Sequence, residues 1–93
     1  MNNQIAEIIL DQLGRRLKAT IGAKDFLNLG NGLGFKYPRG KYVAITLNGK
    51  DLYDLQFKSI HGVNIKDLNS YTDVYAEDLK RTFEKETGLY LSL

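Results

Sequence analysis

The chain has no cysteine and a single histidine among its 93 residues. Without thiols there is no disulfide, no thiolate metal site and no cysteine nucleophile; a small secreted domain would more often carry bridges, so a cytoplasmic protein is expected. His61 would have to build a metal site from carboxylates such as Asp51 and Asp54, whereas zinc sites draw on more nitrogen or sulfur than one imidazole supplies. It reads as a structural histidine ahead of Gly62. Ser59, Ser70 and Ser92 lie in no elbow motif and would share that one imidazole as base, which weighs against nucleophilic catalysis. Long apolar runs are missing too. Glu7 and Asp11 interrupt Ile5, Ile8, Ile9 and Leu10, no basic start leads into an apolar segment, and nothing approaches the roughly 18 residues of a spanning helix.

What is present suits one globular domain over residues 1–93. Hydrophobic residues make up 43% and charged residues 26%, with one proline, which is not the composition of a disordered chain. The net charge of +2 is unevenly spread: residues 1–50 carry eight basic and three acidic side chains, residues 51–93 five basic and eight acidic. Such a split predicts a basic face and an acidic face, which matters for steering partners more than for folding.

Periodicity predicts an α+β fold: an antiparallel sheet of about four strands with an N-terminal and a C-terminal helix packed on one face. Ile5, Ile8, Ile9, Leu13 and Leu17 recur at helical spacing from Asn2 to about Ile21, with Gly14 as a point of bending and Gly22 as a stop. Strands are expected on either side of Gly30-Asn31-Gly32, over Asp25–Leu29 and Leu33–Tyr37, followed by a turn at Pro38-Arg39-Gly40-Lys41. The strongest signal is Asn48-Gly49 between two strand-like runs, which predicts a hairpin with a two-residue type I′ turn. Alternation puts Val43, Ile45 and Leu47 on one face, Tyr42, Ala44 and Thr46 on the other, and sets Tyr53, Leu55 and Phe57 against Asp54, Gln56 and Lys58. Val63–Lys66 suits a short fifth strand. Asn69–Asp73 reads as turn and capping residues before a helix over Val74–Thr87, which Gly88 ends, and Leu89–Leu93 is expected to dock as an edge strand or beside the helix.

Three constellations suggest chemistry. Gly30-x-Gly32-x-Gly34 resembles a phosphate-cradling loop in composition, but such a loop needs a helix after its glycines, and Leu33–Tyr37 reads as a strand. A hairpin turn is the expectation. Asp51 and Asp54, three apart on a strand, point to opposite faces and do not form a carboxylate pair. An enzyme is not expected, and no cofactor is called for. Phe35–Tyr42, by contrast, interleaves aromatic and basic side chains around a turn, the composition with which rings stack on unpaired bases and cations meet phosphates. Lys36, Tyr37, Arg39, Lys41 and Tyr42 are therefore candidate binding residues, with Arg15 and Arg16 beside them. Six tyrosines exceed what so small a core can hold, and some should be exposed for contact with a partner.

Several strings, Gly30-Asn31-Gly32-Leu33, Leu47-Asn48-Gly49-Lys50-Asp51-Leu52-Tyr53-Asp54 and Thr87-Gly88-Leu89-Tyr90 among them, resemble a small protein family of bacteriophages and mobile elements. The likeness spans most of the chain after Leu13. It brings no catalytic residue set; it implies a setting inside a bacterial host, where small non-catalytic proteins act by occupying a host complex. The expected function is thus a non-enzymatic phage or mobile-element protein that binds a host protein or ribonucleoprotein, as an inhibitor of bacterial defence of the anti-CRISPR type. The second expectation is direct nucleic-acid binding through the basic turn. A third is self-association through a hairpin edge or the C-terminal strand.

Overall fold

The computed structural model describes residues 4–15 and 17–89. Helix α1 runs over Gln4–Leu13 and stops at Gly14, whose φ of 98° lies outside helical space. The stripe resumes in a short α2, Leu17–Ile21. One glycine therefore turns the single long helix expected from periodicity into two. Ala6, Ile9, Leu13, Leu17 and Ile21 are buried, whereas Ile8 stays largely exposed.

Five strands follow: β1 (Lys24–Asn28), β2 (Gly32–Tyr37), β3 (Lys41–Leu47), β4 (Tyr53–His61) and β5 (Asn64–Val74). They form one antiparallel sheet in the order β1-β2-β3-β4-β5, each strand beside its neighbour in sequence. The sheet thus has one strand more than expected. The difference lies in β5, which is 11 residues long and takes in Asn69–Asp73, the stretch expected to be a turn and helix cap. Polar residues tolerate that strand because it is an outer edge with little to bury.

The β3–β4 hairpin sits where expected, but its turn is of another kind. Leu47 pairs with Tyr53, the Asn48 N–H bonds Leu52 O at 2.8 Å and the Asp51 N–H bonds Asn48 O at 3.2 Å. Three residues separate Asn48 from Leu52, and the left-handed position is Asp51, φ 60°, not Asn48 or Gly49. This is a type I turn closed by a left-handed residue, not the type I′ form. Asn48 serves through its side chain, whose Oδ1 accepts from the N–H groups of Lys50 and Leu52 at 2.8 and 3.2 Å.

After β5, a 3₁₀ turn (Ala76–Asp78) leads into α3, Leu79–Thr87, which ends at left-handed Gly88 as expected. The helices cover one face of the sheet, α1 packing on β2 and α3. Leu33, Phe35, Val43, Ile45, Leu55 and Phe57 point into that layer. Phe83 of α3 is its centre, with ring centroids 5.8 Å from Phe35, 5.5 Å from Tyr37 and 6.0 Å from Phe57. The other face carries the alternate residues of the strands, and among the described residues no helix lies over it. The part of the tail from Tyr90 onward, expected to dock, lies outside the described residues. Among the described residues no helix is long and apolar enough to cross a membrane.

Both outer edges are broken. The β1–β2 register shifts between Lys24 and Leu27, with Asp25 at φ 54°, and β5 is bulged twice against β4, with Asp73 at φ 56°. Bulges of this kind bend a strand and increase its local twist.

Candidate polyanion-binding site

The turn Pro38-Arg39-Gly40 is anchored to a neighbouring strand. Arg39 and Gly40 both take left-handed φ values, 71° and 70°, and Gly40 O accepts from the Ile60 N–H at 2.6 Å, tying the turn to the end of β4. A Cβ on Gly40 would fall 2.9 Å from Ile60 O and 3.1 Å from the His61 ring, so only glycine fits there. Left-handed geometry at an arginine costs about 1 kcal/mol or more, and such strain collects at binding elements.

Lys24, Lys36, Arg39 and Lys41 line one shallow hollow of about 330 Å³, together with Gly22, Tyr37, Pro38 and Ile60. Lys24 and Lys36 are direct cross-strand partners, a like-charge pairing that works against the sheet. Lys36 Nζ lies 3.5 Å from Asp25; the cluster has no other salt bridge among the described residues. The row continues across the open face, because Lys36 pairs with Tyr42 and Tyr42 with Lys58, whose Nζ is 3.2 Å from the exposed Asp67. At about 4.8 Å per strand, Lys24 to Lys58 spans about 14 Å.

The opposite end of the sheet is acidic. Asp51, Asp54 and Asp73 gather around the β3–β4 turn, where Asn48 Nδ2 donates to Asp54 and Asp73 at 3.0 and 2.9 Å, and Lys50 Nζ meets Asp73 at 3.2 Å. Along the strands, cations gather where β3 begins and carboxylates where it ends.

The candidate residues do not all assemble. Lys36, Arg39, Lys41 and Tyr42 share the basic end. Tyr37 belongs to the core, only 7% exposed and edge-on to Phe83, where burial, with Glu86 nearby, pushes its phenol up to about 12. Its ring cannot stack on a ligand. Arg15 lies on the α1–α2 corner beside a separate small hollow with Leu10, Leu17, Lys18 and Phe26. Its guanidinium is held at 2.7 Å by both Glu7 and Asp11 and raised in pKa chiefly by the bond to Glu7. It is not part of the basic cluster. Arg16 lies outside the described residues. Of the other tyrosines, Tyr53 is buried, Tyr71 is half-buried with its hydroxyl donating to Glu86 at 2.6 Å, and Tyr75 is 58% exposed.

Lys24 and Lys58 join the site, though neither stood out in the sequence. Strand alternation could have put Lys58 on the face of Tyr42; Lys24 needed the β1–β2 register. Gly32 and Gly34 are part of β2 and lead into no helix. A Cβ on Gly32 would fall 2.0 Å from Ile45 O, and one on Gly34 would fall 2.0 Å from Tyr42 Oη. These glycines make room for a neighbouring strand and a ring. Among the described residues no group of three His, Cys, Asp or Glu side chains is placed to hold a metal ion. Set against protein-family models, curated proteins and solved structures, the chain matches none of them.

Proposed function

We propose that this chain is a non-enzymatic binding domain that docks its basic end on the phosphates of a nucleic acid, free or carried in a ribonucleoprotein. The observation that carries the reading is the hollow shared by Lys24, Lys36, Arg39 and Lys41, where Lys36 to Asp25 is the one salt bridge these four make among the described residues. Crowding like charges on one patch of surface works against folding, and a polyanion that binds them offsets the repulsion. The β2–β3 turn, tied to Ile60 through Gly40, supports the same reading, since a loop already anchored has less freedom to lose on binding. On the resemblance to bacteriophage and mobile-element proteins, the partner is a host ribonucleoprotein of bacterial defence, and occupying its nucleic-acid path would inhibit it. The low net charge of +2 argues against the chain imitating nucleic acid, which strongly acidic proteins do better.

A salt titration of binding to labelled RNA and DNA tests the proposal. Each phosphate neutralised adds about one to the magnitude of the slope of log affinity against log salt, so wild type should lose affinity steeply and the combined K36E/R39E/K41E variant should not bind. Capture from a bacterial lysate with wild type and this variant extends the test to a ribonucleoprotein. Unchanged capture by the variant would remove the basic end as the site.

A further inference from the structure

We infer that the basic end and the open face of the sheet bind single-stranded nucleic acid in preference to duplex, with a base against the ring of Tyr42. The inference rests on the proposed function and narrows it. Tyr42 stands in the cationic row between its registered partners Lys36 and Lys58. It is half-buried, its hydroxyl end over Gly34, on the face that no helix covers among the described residues. Cations on either side of an aromatic ring on a sheet face match what an unpaired strand presents, phosphates along the backbone and base faces free to stack. A duplex offers neither advantage. Its bases are stacked out of reach of the ring, and its major groove, about 12 Å wide, admits a helix or a two-stranded ribbon rather than the face of a five-stranded sheet. The floor around Tyr42 is low, formed by Gly34 and by Ala44 beside it in register, so a base can approach without meeting a bulky side chain. Both salt bridges in the row, Lys36 to Asp25 and Lys58 to Asp67, involve aspartates more than half exposed. Exposed pairs of this kind contribute little, so a phosphate can displace either carboxylate.

The test measures binding of the whole chain at low salt to a short oligo(U), an oligo(dT) and a blunt duplex of equal nucleotide count. Tyr42→Phe keeps the ring and Tyr42→Leu keeps an apolar cover over Gly34 without it; thermal melts establish that both fold. The expected result is single strands bound at least about tenfold tighter than duplex, Tyr42→Phe close to wild type, and Tyr42→Leu weaker by about fivefold or more, the effect of losing one stacked base. Duplex bound as tightly as single strands, or Tyr42→Leu binding like wild type, would overturn the inference while leaving the proposed function in place, provided K36E/R39E/K41E abolishes that binding. Failure of every nucleic acid to bind would overturn both.

Discussion

The hydroxyl of Tyr42 occupies the space that a side chain on Gly34 would fill, 2.0 Å from where its Cβ would stand. Tyr42 pairs with Lys36, so its ring leans one step diagonally along the sheet to reach Gly34. The glycine thereby sets the height of the one aromatic ring in the cationic row.

The two glycines of β2 should respond differently to alanine. At Gly34 the obstacle is the far end of a flexible side chain, so Gly34→Ala should displace Tyr42 and cost about 1 kcal/mol. At Gly32 the obstacles are backbone atoms, Ile45 O at 2.0 Å and Thr46 Cα at 2.7 Å. Gly32→Ala must part β2 from β3 and should cost about 3 kcal/mol or more. Urea denaturation of the two variants should separate them clearly; equal midpoints would contradict the packing described.

The β3–β4 turn makes an opposite pair of predictions. Gly49 has no left-handed φ and nothing within 4 Å of its Cβ position, so Gly49→Ala should be neutral or stabilising by about 0.5 kcal/mol. Asp51→Gly should also stabilise, by up to about 1 kcal/mol, because it relieves a left-handed aspartate. A type I′ turn would instead make Gly49→Ala clearly destabilising, so the sign of that change under thermal denaturation identifies the turn.

Arg39 joins strain to charge. Arg39→Gly should raise stability by about 1 kcal/mol through relief of its left-handed backbone, while weakening nucleic-acid binding and lowering the salt slope by about one. Stability gained together with binding lost is the pattern of a residue kept for its contacts. A variant both less stable and equally tight in binding would contradict it.

Alkaline pH should destabilise the fold through Tyr37. In the unfolded chain its phenol ionises near pH 10, whereas burial holds the folded group to about 12. Between these values the unfolded state binds fewer protons, so stability falls as pH rises, with a slope approaching about 1.4 kcal/mol per pH unit from this group. Tyr71, raised by its bond to Glu86, and Tyr53, raised by burial, act in the same direction. Denaturation at pH values from 9 to 12 should show a shallower decline in Tyr37→Phe.

Local chemistry in the sequence was enough for much of this molecule. The helical stripe, the stop at Gly88, the alternation of Val43, Ile45, Tyr53, Leu55 and Phe57 and the positions of three hairpins all follow from short-range periods and backbone preferences, which act within a few residues. The basic turn was legible for the same reason, since its cations are adjacent in the chain. Three things were decided only by tertiary structure. Whether Asn69–Asp73 would be strand depended on β4 offering an edge, because hydrogen bonds to a neighbour outweigh weak local turn preference. Which rings would be free depended on α3, whose Phe83 draws Tyr37 inward. And the row of Lys24, Lys36, Tyr42 and Lys58 exists only through register, since strand pairing brings together residues far apart in sequence and no pattern along the chain encodes that pairing directly.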